Sequence, residues 1–148
     1  MPSPDALRDL VARLGHDVQD HARLLQALTH PSYANEHQPE PDNEVLAFLG
    51  DAVLALVVAE HLWTAMPGAD VGTLTSRRAD MVSGVNLARW ARRLELGGHL
   101  RLGRGEERTG GQTKDSVLAT ALEALLAAVY LEGGLPAARR AIALLALW

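Results

Sequence analysis

Apolar positions recur at intervals of three and four along almost the whole chain, and strict alternation is nearly absent, so the pattern predicts an all-α, multi-helical fold. Pro4 and Asp5 open a helix that runs to about Leu14 and is stopped by Gly15. A second spans His21 to Leu28 and ends before Thr29-His30-Pro31-Ser32-Tyr33. The polar, proline-containing stretch Glu36 to Asp42 reads as a loop, after which Asp42 or Asn43 caps a long helix from Glu44 to about Met66, closed by Pro67-Gly68. Thr73 or Thr75 starts the next helix, which reaches about Leu94 with Gly84 as its weak point. A glycine-rich connection from Gly97 to Gly111 precedes a helix from Asp115 to Glu132, and Pro136 suits the first turn of a last helix. No internal repeat divides the 148 residues, which make up one domain's worth of chain, 1–148.

Composition narrows the function classes. Hydrophobic residues at 48% and charged residues at 22% are those of an ordinary globular protein. The absence of cysteine excludes disulfides, thiol nucleophiles and Cys-type zinc sites, and it fits a reducing, cytoplasmic setting. Two apolar runs, Ala52 to Ala59 and Val117 to Leu131, read as too short for a bilayer, so no membrane partner is expected; the N-terminus lacks the pattern of a signal peptide. The net charge of -4 conceals an asymmetry: residues 1–75 carry three arginines against eleven carboxylates, and residues 76–148 carry eleven basic residues against seven acidic ones. The basic half supplies candidate phosphate contacts in Arg77, Arg78, Arg104, Arg108 and Lys114, although bulk electrostatics alone would hold nucleic acid weakly.

Two carboxylates sit where a helix should be purely apolar. Asp51 lies within Leu46-Ala47-Phe48-Leu49-Gly50-Asp51-Ala52-Val53-Leu54, and Glu123 within Leu118-Ala119-Thr120-Ala121-Leu122-Glu123-Ala124-Leu125-Leu126. An ionised carboxylate in such surroundings needs a cation or hydrogen-bond donors, or else it takes up a proton. A divalent metal between the two helices answers that need, and so does an arginine at a packing edge.

These segments resemble the ribonuclease III family. Asn43 to Leu54 is similar to its signature N-E-x-L-E-F-L-G-D-A-x-L. Ser116 to Gly134 is similar to S-x-L-A-D-x-x-E-A-L-x-G-A-x-Y-L-D-G-G. Ala27 to Tyr33 and Leu102 to Glu107 resemble family segments in the same order. The resemblance implies a homodimeric all-α endonuclease domain across which double-stranded RNA lies. It also implies a Mg²⁺ site, open to Mn²⁺, built on E-x-x-x-D and D-x-x-E, and hydrolysis that leaves 5′-phosphate and 3′-hydroxyl ends. Phe48 stands at the position that in the family inserts into the partner subunit, with a place in its own core as the other reading. Family members commonly carry a further double-stranded RNA-binding domain, and this chain stops at Trp148 without that pattern.

The chain departs from the family at the metal site. Ala47 stands where the signature has glutamate, and Thr120 where the second motif has aspartate, which leaves Asp51 and Glu123 of four carboxylates. Mg²⁺ binding is therefore expected to be weakened or absent and cleavage impaired. Glu44 shares a helical face with positions 47 and 51, so it is either a third, water-mediated ligand in a competent nuclease or a residue complementing the helix dipole. A third reading makes the domain a non-catalytic dimer that binds ribosomal RNA or a protein partner. His30 reads as a turn tether, Trp63 and Trp90 as core, and Ser116 as a helix cap.

Overall fold

A computed structural model describes residues 2–148. Eight α-helices follow one another: α1 Pro4–Arg13, α2 His21–Ala27, α3 Pro31–Glu36, α4 Glu44–Ala65, α5 Val71–Met81, α6 Gly84–Arg93, α7 Arg104–Arg108 and α8 Asp115–Ala146. Two 3-10 turns, Leu96–His99 and Gly111–Thr113, sit inside the glycine-rich connection, and no strand occurs among the described residues. The all-α expectation is thereby met.

Side-chain caps set most of the helix starts. Ser3, Asp20, Asp70 and Ser83 each accept a hydrogen bond from a backbone N–H of the first turn of the helix they precede. Two of these caps correct the sequence reading. Asp70, rather than Thr73 or Thr75, starts α5; and Ser83, by capping Asn86 N at 3.2 Å, splits the expected helix 73–94 in two. Ser116 lies within the first turn of α8 and caps nothing. The turn at Thr29 to Tyr33 becomes the short α3, because His30 accepts from Ser32 N and Pro31 occupies its first position.

The core centres on α4 against α8, flanked by α6. α8 breaks at Gly134, whose φ of 69° is left-handed, and Pro136 then begins the final stretch much as the sequence indicates. Both α4 and α8 are long and apolar enough to cross a bilayer by length and composition, which corrects the reading of their apolar runs as too short; here 61% of the apolar window of α8 is buried within the fold. In α4 the window is 44% buried, so its outer face remains apolar and uncovered.

Candidate functional site

The two carboxylates meet because of a glycine. Gly50 packs on the main chain of Glu123, and a Cβ built at position 50 would fall inside the van der Waals shell of the Glu123 carbonyl. Without that atom α4 closes onto α8, which brings Asp51, the next residue, against the Glu123 carboxyl. Asp51 is exposed at the edge of the contact, contrary to the apolar burial its neighbours suggest, and Glu123 is half-buried. Burial first, then the Asp51 charge and a hydrogen bond donated to it by the protonated acid, push the Glu123 carboxyl up to about 7. Near neutral pH the Glu123 carboxyl therefore holds its proton about half of the time.

Ala47, one turn before Asp51, is buried, and Thr120, one turn before Glu123, is half-buried. The i,i+4 and i,i+3 relations place their Cβ atoms on the faces that carry the two carboxylates. Ala47 offers no ligand atom and Thr120 offers a neutral hydroxyl. Glu44 does not join them: it lies exposed in the first turn of α4, with its N–H donated to Asp42 Oδ1 at 3.0 Å. Among the described residues no group of three His, Asp or Glu side chains is placed to hold a metal ion. The donor set therefore does not fit a dedicated Mg²⁺ site, since a hard dication needs several oxygen ligands and only two carboxylates converge here.

A second polar region joins two of the segments singled out in the sequence, and sequence reasoning passed over its central residue. Arg101, 7% exposed, donates from Nε to Thr29 Oγ1 at 2.9 Å and from Nη2 to Glu40 Oε2 at 3.3 Å. Its guanidinium lies 4.8 Å over the Tyr33 ring, which also stacks on His37. Ser32 Oγ contacts His30 Nδ1 at 2.7 Å and accepts from Gly103 N at 2.8 Å, while Glu36 accepts from Arg104 N. His30 is thus the tether expected of it. The signal for Arg101 was present: it lies just ahead of the Leu102 to Glu107 segment that docks on Thr29 to Tyr33.

The other candidates divide. Arg77, Arg78, Arg104 and Arg108 are exposed and form no ion pair among the described residues, whereas Lys114 is held by Glu106 at 2.8 Å. Phe48 is 80% exposed, so its place is not in its own core. Trp90 is buried as expected, but Trp63 is 78% exposed, correcting its assignment to the core.

A family model described as Ribonuclease-III-like matches residues 20–147. The chain is 50% identical over 134 residues to Ribonuclease 3 of Caldanaerobacter subterraneus subsp. tengcongensis, covering 90% of this chain and 59% of that protein. It is 50% identical over 142 residues to Ribonuclease 3 of Heliobacterium modesticaldum, covering 95% and 60% respectively. It thus spans somewhat over half the length of these curated relatives. Among solved structures, the nuclease domain of ribonuclease III from Campylobacter jejuni superposes with a TM-score of 0.87 at 37% identity, covering 94% of this chain and 95% of that one. That domain has a flexible region involved in dimer formation.

Proposed function

Starting from a chain that belongs to the ribonuclease-III-like family, we propose that this nuclease domain engages double-stranded RNA as a homodimer and that its cleavage, the family's Mg²⁺-dependent phosphodiester hydrolysis, is impaired. One observation carries the reading: among the described residues only Asp51 and Glu123 converge at the α4–α8 contact, with Ala47 and Thr120 beside them and no third carboxylate. Four carboxylates would confine a metal and the water it activates; two hold a dication loosely, and Mn²⁺ substitutes for Mg²⁺ at best partially. The exposed arginines of the basic half supply phosphate contacts.

The homodimer is supported by the uncovered face of α4. Val45, Phe48, Leu56 and Trp63 are all exposed there, more contiguous apolar surface than a lone copy of the chain would leave to solvent.

The test is cleavage of a long double-stranded RNA in Mg²⁺ and in Mn²⁺ by the unmodified chain and by Ala47→Glu/Thr120→Asp. The helices already aim both Cβ atoms at the surviving pair, so restoring the carboxylates should raise Mg²⁺-dependent cleavage by about two orders of magnitude or more. Brisk Mg²⁺-dependent cleavage by the unmodified chain would overturn the impairment. A double variant that binds Mg²⁺ and leaves RNA intact would favour a scaffold that holds RNA or a protein partner without cutting.

A further inference from the structure

The outer stripe of α4 reads nearly the same in both directions. About a centre between Ala55 and Leu56, Phe48 mirrors Trp63 and Ala52 mirrors Ala59, so two antiparallel copies of α4 place the aromatic ring of one against the far end of the other. At that far end a groove of about 260 Å³ opens between α4 and α5, with Trp63, Val71, Leu74, Thr75 and Arg78 among its lining. It is large enough for a phenylalanine ring. Such a ring stands 80% exposed in Phe48, while Val71, on the groove wall, is itself 79% exposed.

The flank on which α5 lies decides what else is brought together. Leu62, another lining residue of the groove, follows Asp51 by eleven residues, three turns of helix, so α5 sits on the same flank of α4 as Asp51 but at the opposite end. A two-fold axis through the stripe keeps that flank on one side and reverses the ends. The α5 of one copy then runs beside Asp51 of the other, with Phe48, one turn from Asp51, in its groove.

Resting on the homodimer proposed above, we infer that Arg78 of the partner subunit closes the carboxylate site in trans by pairing with Asp51, so that each Asp51–Glu123 pair is completed by a cation from the other copy. Arg78 is exposed, forms no ion pair among the described residues and lines the groove; Asp51 is the exposed member of the carboxyl pair. Glu44, one turn before Phe48, is the other carboxylate on that flank and sets a second negative charge in the path of α5. α5 has no fully buried residue of its own, which suits an element whose apolar side is covered only by a second copy.

Sedimentation equilibrium from nanomolar to micromolar concentration, at low and high salt, tests the pair. The chain is compared with Arg78→Ala, Asp51→Asn, the combination of the two, and Arg77→Ala as a neighbouring charge outside the groove lining. Expected are a dimer at micromolar concentration, dissociation about tenfold easier for Arg78→Ala and for Asp51→Asn at low salt, and a combined variant no weaker than either single one. The loss should shrink in high salt, and Arg78→Lys should recover part of it. A dimer indifferent to Arg78→Ala, losses that simply add, or an equal loss from Arg77→Ala would each overturn the pairing and leave the homodimer standing. A chain that stays monomeric at micromolar concentration would overturn both.

Discussion

At the junction of Thr29 with Arg101 a nearly buried guanidinium meets a hydroxyl, a carboxylate and a tyrosine ring, whereas at the α4–α8 contact two carboxyls meet chiefly each other. Both regions join distant parts of the chain, and both place charge against an apolar core. In the first, each charged-group hydrogen bond repays desolvation, so the region stabilises the fold. In the second, burial and like charge act together against the ionised state, so the region costs stability at the pH where it would be useful. The contrast separates a joint from a site. A group kept in an unfavourable state by its surroundings marks chemistry more reliably than a satisfied network does.

Gly50→Ala should have the largest effect, because it drives a methyl group into the Glu123 main chain and forces α4 and α8 apart. A loss of about 3–5 kcal/mol is expected, read as a lowered urea midpoint, and in whatever remains folded the Glu123 titration should fall toward the ordinary carboxylate range. An unchanged midpoint would mean that the helices do not touch there. Arg101→Met comes next. It removes two hydrogen bonds from a charged donor and a contact with an aromatic face while keeping the buried volume, for an expected loss of roughly 2–3 kcal/mol that persists from pH 6 to 8. A neutral or stabilising result would place the junction among buried ion pairs that hydrophobic residues replace without cost, and would blur the contrast.

How much of this was legible follows from which physical signal each feature leaves. The ends of α1, α2 and α4 came from proline, glycine and capping residues, and the structure moves them by a residue or so. The break at Ser83 is hidden in the sequence by the glycine that follows it, which reads as a weak point within one helix, although a hydroxyl three residues ahead of Asn86 is a cap signal in its own right. Trp63 was misplaced for a deeper reason. α4 is apolar on nearly every face, and a stripe awaiting a second copy has the same three-and-four spacing as one facing the core. Asp51 differs from its surroundings in the same way: Leu46, Ala47, Val53 and Leu54 around it are buried, but Asp51 itself stands with Phe48 and Ala52 on the exposed side of the helix. The convergence of Asp51 with Glu123 is one of two readings open from their apolar surroundings, and the family motifs favour it; periodicity alone assigns a residue to a face and does not say which two helices meet. Arg101 left no periodic trace, because its partners are scattered over the chain from Thr29 to Glu40.

The smallest predicted effect is the one that isolates the carboxyl pair. The Glu123 carboxyl rises from 4.5 to about 7 on folding, so the folded chain holds this proton more tightly than the unfolded one. Below pH 4.5 the acid is protonated in both states and no penalty arises; through the window up to about 7 the unfolded chain releases the proton first, and stability falls as pH rises; above 7 the full penalty is present. Because the carboxyl is only half-buried, solvent screening reduces that penalty to roughly 1–2 kcal/mol. Glu123→Gln keeps the shape and removes the charge. It should therefore be more stable than the unmodified chain by about that amount at pH 8, match it near pH 4, and lose the slope between. Urea titrations at closely spaced pH values decide it. Parallel curves for the two proteins would show that Glu123 ionises freely and that the pair is not coupled, whereas a gain confined to the alkaline side, set beside the pH-independent loss in Arg101→Met, would show one fold carrying a polar joint that stabilises it and a polar site that does not.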